Sequence, residues 1–136
     1  MIKVVFGNKG IGKTKYLIED ANSLVEKCKG DIVFIDRGRE LLTEIRHEIR
    51  YIDIQEFIIT NTSAFLGFIC GLIAEDYDIE AVYVDGIKSI IKDEDDTLAF
   101  FDGLKQINDK FSINFIISLC GDIKEIPDYV TKEYTC

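Results

Sequence analysis

The sequence lacks the marks of a metal-stapled or disulfide-built domain. It has one histidine, and its four cysteines, Cys28, Cys70, Cys120 and Cys136, form no C-x-x-C pair. No zinc-ligand spacing is present. Three of the cysteines lie in apolar segments, so they read as free thiols of a reducing, cytoplasmic compartment. Positive charge is also scarce: 16 Lys and Arg stand against 25 Asp and Glu, a net charge of −9. That balance argues against broad nucleic-acid binding and against docking on an anionic membrane, both of which need a basic face. A local basic patch stays open. Long hydrophobic runs are missing too. The longest, AFLGFICGLIA (64–74), has 11 residues, against the roughly 20 that a bilayer crossing needs, and it reads as a buried helix. The opening MIKVVFG has no basic region followed by a long apolar stretch, so no signal peptide is expected. Repeats, low-complexity tracts and linkers are absent. With 136 residues, 47% of them hydrophobic, the expectation is one domain over 1–136 with no separate lid.

What is present alternates in a regular way. Ile2 to Phe6 is a β-branched apolar run ended by Gly7 and reads as a buried strand. Thr14 to Cys28 has helical period, with Leu17, Ala21, Leu24 and Cys28 on one face and Gly30 placed as a helix-ending glycine. DIVFID (31–36) reads as a second strand. Glu40 to Ile49 reads as a helix with Leu42, Ile45 and Ile49 inward, and YIDI (51–54) as a short extra strand. NTS (61–63) offers N-cap chemistry for a helix over Ala64 to Ala74, where Gly67 and Gly71 point to close packing on a sheet. EAVYVD (80–85), a helix from Asp93 to Lys110, INFIISLC (113–120) and a β-leaning YVTKEYT at the end complete the series. Unbroken apolar strands alternating with helices imply an α/β fold: a three-layer α/β/α sandwich around a mainly parallel sheet of about five strands.

The stretch GNKGIGKT, residues 7–14, fits G-x-x-x-x-G-K-[ST] through Gly7, Gly12, Lys13 and Thr14. It follows a predicted strand and opens a predicted helix, the context such a loop requires. Glycines let the backbone approach an anion without a Cβ in the way. The backbone N–H groups over Gly7, Asn8, Lys9, Gly10, Ile11, Gly12, Lys13, Thr14 and Lys15 can then cradle phosphates at a helix N-terminus. Lys13 reaches the β- and γ-phosphates and the Thr14 hydroxyl ligates Mg²⁺.

With this loop the sequence resembles the P-loop nucleoside triphosphatases. The resemblance implies a second element, an apolar strand ending in Asp, which AVYVD supplies with Asp85. It further implies Mg²⁺ held by Thr14 and Asp85, and catalytic parts for Lys13 and Asp85. Many members carry a glutamate directly after that Asp to polarise water, but here Gly86, Ile87 and Lys88 follow. Slow or partner-stimulated hydrolysis is the consequence. Glu94, Asp95 and Asp96 suit a helix N-terminus better than a base. The guanine-specific branch fits less well: Asp85 is followed by Gly86 with Lys88 in the fourth place, and TKEY (131–134) ends in Tyr134. The expected nucleotide is therefore ATP, adenine being favoured or the base weakly discriminated. The division with an additional strand between the two motifs often ends that strand in a polar residue, for which Ser118 and Asp122 are candidates, Ser118 being equally readable as an ordinary strand residue.

All four arginines, Arg37, Arg39, Arg46 and Arg50, fall between 37 and 50. On a helix, Arg39, Arg46 and Arg50 would make one stripe, either a charged edge covering apolar surface or a patch facing phosphate or a partner. Asp36 and Arg37 leave a strand end near the expected crevice and could hold the acceptor of a phosphotransferase. Three functions remain open on the sequence: an ATPase, a small-metabolite kinase, and a nucleotide-dependent interaction module with a homo-oligomeric or protein partner.

Overall fold

The computed structural model of the chain describes residues 1–7, 12–120 and 126–134. In chain order these form β1 (Ile2–Gly7), α1 (Lys13–Val25), β2 (Asp31–Asp36), β3 (Arg50–Asp53), α2 (Thr62–Glu75), β4 (Ile79–Val84), α3 (Glu94–Phe111), β5 (Asn114–Cys120) and β6 (Thr131–Tyr134). The strands make one sheet in the order β3-β2-β4-β5-β1-β6, and every neighbouring pair is parallel. The sheet has six strands rather than five because both short runs, Arg50–Asp53 and Thr131–Tyr134, join its edges.

Period-two alternation sorts the strand residues between two cores. Val4, Phe6, Val33, Ile35, Val82, Val84, Phe115 and Ile117 pack with Phe65 and Ile69 of α2 and Phe100, Phe101 and Leu104 of α3. Val5, Ile32, Phe34, Ala81, Tyr83 and Ile116 pack with Leu17, Ile18 and Ala21 of α1. Helices therefore cover both faces, which is why the strands read as unbroken apolar runs. Two helices carry side-chain N-caps, of which the sequence offered the one at Asn61. The Asn61 side chain accepts from the Ala64 N–H at 2.8 Å, and Asp93 accepts from the Asp96 N–H at 2.8 Å.

Residues 39–49 depart from expectation, being a series of turns rather than a helix. Asn22 of α1 explains it. Its amide donates to the Glu44 carbonyl at 2.9 Å and accepts from the Arg46 N–H at 3.0 Å, taking up a backbone donor that a helix would spend on residue 42. Ile45 and Ile49 still bury, but Leu42 is 49% exposed. The arginine stripe dissolves with the helix. Arg39 pairs with Glu56 at 2.6 Å, Arg46 with Glu26 and with Glu48, and Arg50 with Glu75 at 4.0 Å.

Three glycines also act differently. The first helix ends at Val25, ahead of Gly30. Gly30 is small for another reason: a Cβ there would lie 2.2 Å from the Asp78 carbonyl oxygen. Gly67 and Gly71 do not pack on the sheet. Both are exposed, with nothing within 4 Å of an added Cβ, and the close approach in that layer is instead Gly103 against Leu66. Among the described residues, no helix is long and apolar enough to cross a membrane.

Candidate functional site

The sheet delivers its polar residues to one end. β1, β4 and β5 all run toward their C-termini at the same edge, so Gly7, Asp85 and Ser118 meet there, and α1 starts above them. Crevices at this edge of an open parallel sheet are where ligands bind. Gly12 precedes α1 with φ +95°, a left-handed conformation that favours glycine. Its carbonyl accepts the first helical bond, from the Tyr16 N–H at 2.9 Å. Asn8, Lys9, Gly10 and Ile11 lie outside the described residues, as does Asp122.

The start of α1 is electrostatically unusual. Its first turn holds no acid and instead carries Lys13 and Lys15. Cations at the positive end of a helix are unfavourable by a few tenths of a kcal/mol to about 1 kcal/mol each, and the arrangement makes sense when an anion sits above them. By contrast, α3 has Glu94, Asp95 and Asp96 in its first turn, so its dipole is already compensated. Lys13 is half-buried and its ammonium donates to the Gly7 carbonyl. Lys15 stands outside, 3.9 Å from Glu19.

Asp85 is the hub. One carboxylate oxygen accepts from the Thr14 hydroxyl at 2.7 Å, and the other accepts from the Ser118 hydroxyl. Ser118 is only 5% exposed. Two hydroxyls far apart in sequence thus converge on one carboxylate. The donors are all oxygen, which suits a hard cation such as Mg²⁺. The described residues contain no cluster of three or more His, Cys, Asp or Glu side chains fit to hold a metal. That is also the pattern for Mg²⁺, which keeps waters and shares one or two protein ligands with substrate phosphates.

The residue after Asp85 cannot carry a glutamate without strain. Gly86 has φ +71° and its N–H donates to an Asp85 oxygen at 3.0 Å. A Cβ there would sit 3.2 Å from the Arg37 Cβ and 3.3 Å from an Asp36 carboxylate oxygen. Asp36 therefore fills the space that a side chain at 86 would enter. It is 7% exposed; Tyr51 donates to one oxygen at 2.7 Å and the Arg37 N–H to the other at 2.7 Å. Burial pushes the Asp36 carboxyl above the usual carboxylate range, and the charges of Asp85 and Glu40 add to this against the pull of those two hydrogen bonds. Burial, then the bond to Asp36, likewise raises the Tyr51 phenol. With both oxygens engaged, Asp36 is poorly placed to hold an acceptor, contrary to the sequence expectation. Arg37 is exposed and, unlike Arg39, Arg46 and Arg50, has no ion-pair partner among the described residues.

Above these residues opens a cleft of 1470 Å³. Gly12, Lys13, Thr14 and Asp85 line it, together with Lys88, Ile91 and Lys92. Lys88 and Lys92 went unremarked in the sequence reading as site residues, although they stand within seven positions of Asp85. Their place depends on the turn that follows Gly86, which no local pattern announces.

No family model matches the sequence, and no curated protein matches it. Solved structures do match in shape. The crystal structure of flagellar accessory protein FlaH from Methanocaldococcus jannaschii superposes with a TM-score of 0.64 at 15% sequence identity, covering 94% of this chain and 63% of that one. The likeness is one of fold, an α/β architecture around a parallel sheet. This chain spans less than two thirds of the FlaH chain's length, and at such low identity the likeness speaks for the fold alone.

Proposed function

We propose that this chain is a Mg-ATP-binding P-loop protein with slow or partner-stimulated hydrolysis. The observation that carries the reading is the convergence of Thr14 and Ser118 on Asp85 beneath the lysine-bearing start of α1. In this reading the loop Gly7, Asn8, Lys9, Gly10, Ile11, Gly12, Lys13, Thr14 and Lys15 holds the phosphates. Thr14 and Asp85 hold Mg²⁺, which when bound neutralises phosphate charge. Lys13 brings its ammonium to the β- and γ-phosphates. The pairing of β5 with both β1 and β4 supports the additional-strand division. The left-handed, crowded position of Gly86 supports slow turnover, because no water-activating carboxylate can stand there. An ATP-dependent role in the cytoplasm, with a protein or second copy as partner and no nucleic acid, fits the net charge of −9.

Lys13→Ala tests the reading. It removes a cation from the phosphate site, and calorimetry should show Mg-ATP affinity falling by at least tenfold. Unchanged affinity would sink the proposal.

One observation favours a second reading, a small-metabolite phosphotransferase. The cleft of 1470 Å³ exceeds the roughly 300–1,000 Å³ of a pocket for one drug-sized ligand, which leaves room for an acceptor. Phosphoryl transfer depends on positioning and charge neutralisation more than on a base. Labelled ATP incubated with a metabolite panel decides between the two: label on an acceptor supports the kinase, and label found in inorganic phosphate alone supports the ATPase.

A further inference from the structure

We infer that Lys88 is the residue that distinguishes a nucleoside triphosphate from a diphosphate, by placing its ammonium on the terminal phosphate from the turn that follows Asp85. The inference rests on the Mg-ATP reading above. Four observations support it. Lys88 lines the same cleft as Gly12, Lys13, Thr14 and Asp85. It stands three residues beyond Asp85, in the 3₁₀ turn Ile87–Ser89, which rises about 2 Å per residue. Its flexible four-carbon stem therefore begins only three residues from Asp85. The turn is anchored: Gly86 enters it in a left-handed conformation, Ile87 and Ile90 are each 2% exposed, and the Ile90 and Ile91 N–H groups bond the Ile87 carbonyl at 2.9 and 3.0 Å. The base of the side chain is thus held while its head is exposed. Finally, among the described residues the Lys88 ammonium has no carboxylate partner, whereas Arg39, Arg46 and Arg50 are all committed to glutamates away from the cleft.

The chemistry follows from the charge. Lys13 and the start of α1 meet the phosphates from the loop side. A terminal phosphate brings further charged oxygens, and a second cation in the same cleft would stabilise them, more so as transfer spreads charge over the equatorial oxygens. A diphosphate lacks that group and gains nothing from Lys88.

Calorimetric titrations of the full chain with Mg-ATP and Mg-ADP, in wild type and in Lys88→Met, test this. Wild type should prefer ATP. Lys88→Met should lose about tenfold or more of ATP affinity, as expected for a charge-assisted bond, with ADP affinity unchanged within twofold. Lys88→Arg should restore most of the preference. Lys27→Met removes an equal charge outside the cleft and should leave both affinities unchanged, which separates a specific contact from a change in net charge. Lys88 is exposed, so the melting temperature should not move. Equal losses for ATP and ADP, or no loss for either, would overturn the inference while leaving Mg-ATP binding intact. Failure of wild type to bind either nucleotide would instead remove the reading beneath it.

Discussion

Asp36 and Gly86 show how one small residue and one buried carboxylate set the character of the site. Asp36 lies against the position where a water-activating side chain would have to begin, and its carboxyl titrates above the ordinary 3.8 because burial disfavours the charge. The sign follows directly. With the folded-state value raised, the folded chain binds more protons than the unfolded chain just above pH 4, so stability falls as pH rises through that window. Asp36→Asn removes the titration while keeping an acceptor for Tyr51. In urea melts, wild type should lose stability relative to Asp36→Asn between pH 4 and pH 7. A constant difference across that range would show that the burial of Asp36 is not felt as a charge. Asp36 ends a strand legibly in DIVFID. Its crowding against Gly86 was not legible, because it arises from two strands 50 residues apart meeting in the sheet.

At the scale of elements, strands and long helices were readable where one period dominated. The stripe Phe100, Phe101, Leu104 and Ile107 is buried as its spacing implies, and the cap expected in 61–63 is formed by Asn61. The segment 39–49 was misread because its apolar spacing suits a helix, while its backbone bonds go to a tertiary partner, Asn22, that spacing cannot reveal. Glycines were the least legible class. A Cβ at Gly30 would collide with the Asp78 backbone at 2.2 Å, so Gly30→Ala should cost about 1–3 kcal/mol in chemical denaturation, the range for overpacking. Gly67 sits exposed inside α2 with open space around it. There Gly67→Ala should stabilise by about 0.5–1 kcal/mol through helix propensity. Opposite signs at the two positions are the test; destabilisation at both would mean that the outer face of α2 is not free.

At the scale of the whole molecule, an acidic chain has gathered lysines around one cleft. Lys13, Lys15, Lys88 and Lys92 all line it, interleaved with Glu19, Glu44, Asp85, Asp93 and Glu94, and two of the lysines stand at the positive end of the α1 dipole. The fold's part is to bring the ends of β1, β4 and β5 together, so that a loop at residue 7, a carboxylate at 85 and a hydroxyl at 118 share one site. The loop and the Asp-ended strand announced the first two in sequence. The third needed the strand order, because a serine at a strand end has many ordinary explanations.

The most direct measurement is a calorimetric titration of the wild-type chain with ATP, once with magnesium and once with a chelator. Saturable one-to-one binding in magnesium, weakened at least tenfold by the chelator, is the expected result. Absence of nucleotide binding under both conditions, or equal affinity with and without magnesium, would contradict a site built on Lys13, Thr14 and Asp85.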